Sequence, residues 1–238
     1  MTTDNTQPDG AWAFDEQVTD AFDDMLIRSI PQYEVMRNLC TNLAMQYAQK
    51  HTAIVDIGCS RGEAIGKLID QRGALNRFVG LEISEPMLQA ARHRYKGMID
   101  CGIVDIRKHD LRNKDFPIHD ASVILAVLTI QFTPIEYRLR ILKQLYDALL
   151  PQGVLLMVEK VIGATSAIDE QMVSQYYALK STNGYSTDAI ERKRLSLEGV
   201  LVPMTAEWNE NMLKTTGFRQ VDCFWRWMNF GGWLAIKS

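Results

Sequence analysis

Between Ile54 and Gly62 the chain reads IVDIGCSRG, and most of its legible chemistry gathers there. Ile54, Val55 and Ile57 form a β-branched apolar run with Asp56 set inside it, and Gly58 and Gly62 bracket Cys59, Ser60 and Arg61. The following EAIGKLID has helical character. A buried strand, a tight glycine turn and a helix N-terminus, in that order, make the first βα unit of a nucleotide-binding sheet. Backbone N–H groups approach a ligand closely where glycine places no side chain in the way. The acidic residue precedes the glycines, unlike the dinucleotide pattern G-x-G-x-x-G, and no Gly-Lys-Ser/Thr follows to grip phosphates. A phosphate-gripping loop is therefore not expected here.

A second chemical residue is Glu82, at the end of the apolar run FVGLEI. It follows the glycine turn by about 20 residues, the spacing at which an acidic side chain meets ribose hydroxyls. No Ser-His-Asp set, paired-carboxylate motif or metal-ligand cluster is evident in the sequence, and no metal is expected. The chemistry would then belong to a bound cofactor, with the protein orienting it and excluding water. His109 reads as a surface histidine, because nothing near it in sequence would orient it as a base.

The elements that position these residues alternate. Strands are expected at 54–57, 78–83, within 103–111 ahead of Asp110, at 121–130 and at 154–158, with helices between them, including 134–150 after the fourth strand and a turn at 151–153. That alternation implies a parallel sheet with helices on both faces and ligands at the carboxyl ends of the strands. Residues 1–10 read as a disordered leader and 11–238 as one domain. Apolar periodicity from Trp12 to Gln49 predicts a helical cover, with Tyr33 turned toward the ligand if that cover acts as a lid. Residues 161–200 form a helical insertion after strand five, and 221–228 with 232–237 form a terminal antiparallel pair.

The composition bounds the rest. The chain has 238 residues, 47% hydrophobic and 23% charged, with a net charge of -3. This suits a large globular core and argues against direct nucleic-acid binding. No apolar run is long enough to span a bilayer, and MTTDNTQPDG is polar rather than signal-like. Cys40, Cys59, Cys101 and Cys223 are far apart, without a C-x-x-C pair, and read as free thiols of a cytoplasmic protein.

Asp56–Cys59 resembles the first motif of class I S-adenosylmethionine (SAM)-dependent methyltransferases. The wider pattern resembles the carboxy-SAM synthase family, relatives of those methyltransferases that serve tRNA wobble-uridine modification in bacteria. The matching stretches are W-x-FDE-x-V at Trp12–Val18, RSIP-x-Y at Arg28–Tyr33, DIGCS at Asp56–Ser60 and T-x-QF at Thr129–Phe132. Glu159–Lys160, NGYS at Asn183–Ser186, Lys193–Arg194 and NFG at Asn229–Gly231 complete the set.

The resemblance implies a Rossmann-like α/β fold: a mostly parallel, seven-stranded sheet with a C-terminal antiparallel hairpin, an N-terminal helical cover and the insertion after strand five. It implies that Tyr33, Gly58, Cys59, Ser60, Glu82, Ile83, Asp110, Leu111 and Val127 surround the cofactor, with Asp110 near the adenine. The cofactor is then SAM, carboxy-SAM or S-adenosylhomocysteine. Tyr33 and Arg194 are implied at the reacting end, with Arg194 facing a carboxylate on the sulfonium methyl, a partner suited to a guanidinium fork.

The chain departs from the family at Val127, where the family has asparagine, at Glu82-Ile83, where it usually has aspartate-asparagine, and at the charged Arg61. The family reaction moves a carboxyl group from prephenate to SAM and releases phenylpyruvate, and family members form homodimers through the insertion. Two other readings stay open at this point: methyl transfer to a small molecule or nucleic acid, and SAM binding without catalysis.

Overall fold

Alternation of strand and helix carries through to three dimensions in the structure, a computed structural model that describes residues 3–6, 8 and 10–238. The strands are β1 (Ala53–Ile57), β2 (Arg77–Glu82), β3 (Val104–Lys108), β4 (Ala121–Val127), β5 (Leu149–Ile162), β6 (Met204–Thr205), β7 (Gln220–Trp227) and β8 (Phe230–Ile236). The helices are α1 (Glu16–Ser29), α2 (Tyr33–Tyr47), α3 (Glu63–Arg72), α4 (Glu85–Arg94), α5 (Lys96–Asp100), α6 (Ile135–Ala148), α7 (Ser166–Thr182), α8 (Thr187–Ser196) and α9 (Ala206–Thr216).

Seven strands run in the order β3-β2-β1-β4-β5-β8-β7, and the two-residue β6 lies beside the end of β5. The first five pair in parallel, and the β7–β8 hairpin adds antiparallel pairing against β5. β1 is buried at every residue, as a central strand covered on both faces must be. Ile141, Leu142 and Leu145 of α6 pack one face together with Met212 and Leu213 of α9. Ile65 and Leu68 of α3 pack the other with Leu88 and Ala91 of α4 and Ala44 of α2. The strand order reverses between β1 and β4, which opens a crevice at their carboxyl ends.

Several boundaries differ from those expected. The fourth strand stops at Val127, not Ile130, because Leu128 takes a left-handed φ of 59° and Ile130–Phe132 form a short 3-10 turn. The second strand ends at Glu82, before Ile83. The expected turn at 151–153 lies inside β5, where Gln152 at φ 63° sits in an irregularity that lets pairing with β4 begin at Leu149. The second hairpin strand starts at Phe230, two residues before the expected position.

Within the stretch expected as a leader, one described residue is packed against the rest of the chain. Asp4 is buried, accepts a hydrogen bond from the Tyr185 hydroxyl and lies 3.7 Å from Lys193 Nζ. Residues 1, 2, 7 and 9 lie outside the described residues.

The N-terminal cover and the insertion clasp each other above the crevice. Asp15 caps α1 by accepting from Val18 N at 2.9 Å, a contact that contributes about 1 kcal/mol. At the other end of α1, Arg28 Nε donates to Asn183 O at 2.8 Å while Asn183 Nδ2 donates back to Arg28 O at 2.9 Å. Trp12 N donates to Ser196 O at 2.7 Å, and Ser84 Oγ donates to Phe14 O at 2.7 Å. The Arg28–Asn183 pair joins the RSIP and NGYS stretches, which are remote in sequence, while the other two bonds tie Trp12 to the end of α8 and Phe14 to the start of α4.

Candidate functional site

The crevice is a cavity of about 480 Å³, within the range of small-molecule sites. Its floor is the glycine turn. Gly58 adopts φ 64°, and a Cβ there would lie 2.5 Å from Thr129 Cγ2 and 2.7 Å from Thr129 Oγ1. Thr129 is held in place by donating to Ile57 O at 2.9 Å, so the side chain cannot yield easily. Gly58 N and Cys59 N both donate to Leu81 O, at 2.7 and 3.1 Å, which staples the turn to the end of β2. The buried Cys59 sulfur fits against Gly80, where a Cβ would meet it at 2.7 Å. Burial pushes that thiol well above its ordinary pKa, so it serves packing rather than nucleophilic chemistry. Arg61, the unusual charge in this turn, donates to Thr19 O at 3.2 Å and lies 3.5 Å from Asp23, fastening α1 to the turn.

Glu82 lines the cavity, but its carboxylate also braces two loops. Oε2 accepts from Ser60 N at 2.9 Å, and Oε1 accepts from Ile83 N at 2.7 Å and Ser84 N at 2.9 Å. A carboxylate offers about four acceptor positions, so capacity remains for a hydroxyl. Asp110 and Leu111 line the cavity beyond β3. The Asp110 carboxylate is gripped by the Arg112 guanidinium at 2.6–3.0 Å, which holds it below the usual carboxylate range. Ile83 lies at the rim, 50% exposed. His109, expected at the surface, lines the cavity, and burial lowers its pKa.

Tyr33 enters from the first turn of α2 and shares the lining with Val127 and Leu128, all three packed against one apolar cluster. Burial pushes the Tyr33 phenol up to about 12, so it stays protonated and able to donate. Thus Tyr33, Gly58, Cys59, Ser60, Glu82, Ile83, Asp110, Leu111 and Val127 all line one cavity. Arg194 does not. It lies on the outer side of α8, bound to Glu191 at 2.8 Å and to Glu198 at 3.2 Å, while its neighbour Lys193 faces the cavity.

Sequence reasoning passed over Arg37 and Asp56 as site residues. Arg37 is 9% exposed, lines the cavity, and makes no guanidinium hydrogen bond to any described residue. The signal was available: Met36, Arg37, Cys40, Thr41 and Ala44 form the buried stripe of α2, with an arginine in the midst of small and apolar residues. Asp56, on β1 beside the turn, is pushed up to about 7 by burial, with the Arg37 charge opposing. A cation and a carboxyl that face one cavity without a mutual ion pair suit a zwitterionic amino-acid end of a ligand. Together with the glycine cradle, this fits the amino-acid and adenosine parts of SAM.

The family's TxQF and Glu-Lys stretches have a structural explanation. The buried Glu159 carboxylate accepts from Ile130 N at 3.0 Å and Gln131 N at 2.6 Å, and Gln131 Oε1 accepts from Lys160 N at 2.7 Å. This fixes the backbone after β4, where Leu128 and Thr129 face the cavity. Burial raises Glu159 to about 8.

A methyltransferase-domain family model matches residues 54–153. Carboxy-S-adenosyl-L-methionine synthase of Wolinella succinogenes is 39% identical over 227 residues, covering 94% of this chain and 93% of that protein. The enzyme of that name from Methylococcus capsulatus is 38% identical over 229 residues, covering 95% and 93%. Among solved structures, an O-methyltransferase family protein from Burkholderia thailandensis superposes with TM-score 0.65 at 15% identity, over 94% of this chain and 60% of that one. The CurJ carbon methyltransferase superposes with TM-score 0.64 at 15% identity, over 94% and 61%. Those two establish the fold. Among the described residues no helix is long and apolar enough to cross a membrane, and no cluster of metal-ligating side chains occurs. With a SAM-type cradle in a class I methyltransferase fold, and relatives above 30% identity along nearly its whole length, the chain belongs to the carboxy-S-adenosyl-L-methionine synthase family.

Proposed function

We propose that this protein converts SAM and prephenate to carboxy-SAM, the activated donor for tRNA wobble-uridine modification. The observation that carries the reading is the 39% identity, across 94% of the chain, to a protein named for that product. In that reaction a carboxyl group of prephenate ends on the methyl carbon of SAM, with phenylpyruvate and water released. The sheet order arranges the parts: Asp110 follows β3, Glu82 ends β2, Gly58 follows β1, Val127 ends β4 and Lys160 lies in β5. The adenine is assigned to the Asp110–Leu111 end and the ribose to Glu82. The amino-acid end is assigned to Gly58, Asp56 and Arg37, which leaves the β4–β5 side for the second substrate. Arg37 neutralises the cofactor's carboxylate, and the apolar walls from the helical cover exclude water.

Arg194 faces away from its own cavity, so holding the product's carboxylate requires that it reach the cavity of a second copy. The reading therefore includes a homodimer, built on the insertion and working in the cytoplasm. Of the 17 residues of α7, only Tyr176 and Lys180 are buried, while Ile168 and Leu195 on the insertion stand 45% and 51% exposed. A second reading, transfer of the methyl group itself, is favoured by Val127, apolar where the family has asparagine. Incubation with SAM and prephenate separates them. Phenylpyruvate formed in step with SAM consumption supports carboxyl transfer; SAM untouched by prephenate rejects it.

A further inference from the structure

On the β5 side the cavity meets a group of lysines that the cofactor assignment does not use. Lys160 of β5 and Lys193 of α8 line it, and Lys180 of α7 lies behind, 4% exposed. Aromatic rings hold all three. Lys160 Nζ lies 4.9 Å and Lys180 Nζ 5.7 Å from the Tyr176 ring centre, Lys180 Nζ 4.9 Å from Tyr185, and Lys193 Nζ 4.6 Å from Trp12. An aromatic face attracts an ammonium but supplies no lone pair for its N–H donors.

Carboxylates are scarce around them. Asp4 is the partner of Lys193 at 3.7 Å, and Lys193 Nζ is buried without a hydrogen bond. Arg28, over the Tyr185 ring, is matched by Asp24 at 3.1 Å. Neither Lys160 nor Lys180 has an ion pair or an ammonium hydrogen bond to any described residue. Asp169 acts on Lys160 from a distance while its Oδ1 accepts from Gly163 N at 2.7 Å. Burial and the two neighbouring lysines lower Lys180 to about 7, as expected of positive charge crowded in a dry place.

We propose that Lys160 and Lys193, backed by the charge of Lys180, form the carboxylate-holding subsite for the second substrate, a small organic dianion with an apolar ring. The two lysines come from different elements, so they suit separate carboxylates, and Tyr176, Phe230 and Trp12 supply the apolar wall between them. Strands spaced about 4.8 Å apart put β5 about 19 Å from β3, which separates this subsite from the adenine end. The inference deepens the carboxyl-transfer reading and rests on it for the identity of that substrate.

The test is calorimetric titration of prephenate, and separately of isophthalate, into protein saturated with S-adenosylhomocysteine, for wild type and for Lys160→Gln, Lys193→Gln and Lys160→Arg. Each glutamine variant is expected to weaken prephenate about 30-fold, with Lys160→Arg restoring most of the loss and homocysteine-ligand affinity held within about 3-fold. Unchanged prephenate affinity in both glutamine variants overturns the subsite while leaving carboxyl transfer intact. Lysine-dependent binding of isophthalate without binding of prephenate supports the subsite and rejects the carboxyl donor. If wild type binds neither dianion, or if the variants lose the cofactor equally, the inference fails.

Discussion

Replacing Arg37 by methionine should separate the two ends of the cofactor. Methionine keeps most of the buried stem that packs in α2 while removing the guanidinium, which no described residue hydrogen-bonds. The partner lost is the cofactor's carboxylate, in surroundings where Arg37 is only 9% exposed. Truncating one side of a buried charge pair costs about 2–5 kcal/mol, and the open mouth of the cavity favours the lower part, about 2–3 kcal/mol or 30- to 150-fold. Asp56 adds to the effect. It already stands at about 7 with Arg37 opposing the rise, so without that cation it becomes neutral at pH 7 and holds an ammonium less well. Titration of S-adenosylhomocysteine should show this loss. Titration of 5′-methylthioadenosine, which has no amino-acid end, should be unchanged within about 3-fold. Equal losses for both ligands, or none for S-adenosylhomocysteine, would refute the assignment of Arg37.

Gly58→Ala should cost about 1–3 kcal/mol, because the new Cβ meets Thr129 at 2.5 Å in a left-handed backbone; an unchanged urea midpoint would contradict that. Stability should fall as pH rises from 5 to 7. Asp56 and Glu159 have folded pKa values raised to about 7 and about 8, so their neutral forms favour folding. That contribution is full below the ordinary carboxyl range and is lost as pH climbs through those values. His109 and Lys180, both lowered by burial, work in the opposite sense, Lys180 only as pH nears its value of about 7. A urea midpoint that increases between pH 5 and 7 would contradict this balance. Light scattering at micromolar concentration should report a dimer, and Arg194→Ala should weaken carboxy-SAM binding while leaving SAM almost unchanged; a monomer would remove the basis for Arg194 acting across an interface.

The glycine turn and Glu82 were legible because their chemistry is local: a strand, two glycines and an acid at the next strand's end carry their own geometry. Arg194 was not, because adjacent helical residues differ by about 100° around the axis, and only packing decides whether Lys193 or Arg194 turns inward. Arg37 escaped notice because a lone arginine in an amphipathic helix is ordinarily a surface residue. Asp110 lines the cavity, yet nothing in its spacing announces that Arg112 grips its carboxylate. Asp4 sits in a polar stretch that reads as leader, and its burial depends on Tyr185 and Lys193, partners more than 180 residues away. The strand ends shifted for a similar reason: left-handed turns at Leu128 and Gln152 are set by neighbouring strands, not by the residues' own preferences.

The central claim, carboxyl transfer within this cavity, is tested most directly with prephenate labelled with carbon-13 in its ring carboxyl group, supplied with unlabelled SAM. Mass spectrometry of the ligand released from denatured protein should show an S-adenosyl species heavier than SAM by the mass of labelled carbon dioxide. Release of only SAM or S-adenosylhomocysteine, unlabelled and indifferent to prephenate, would contradict it.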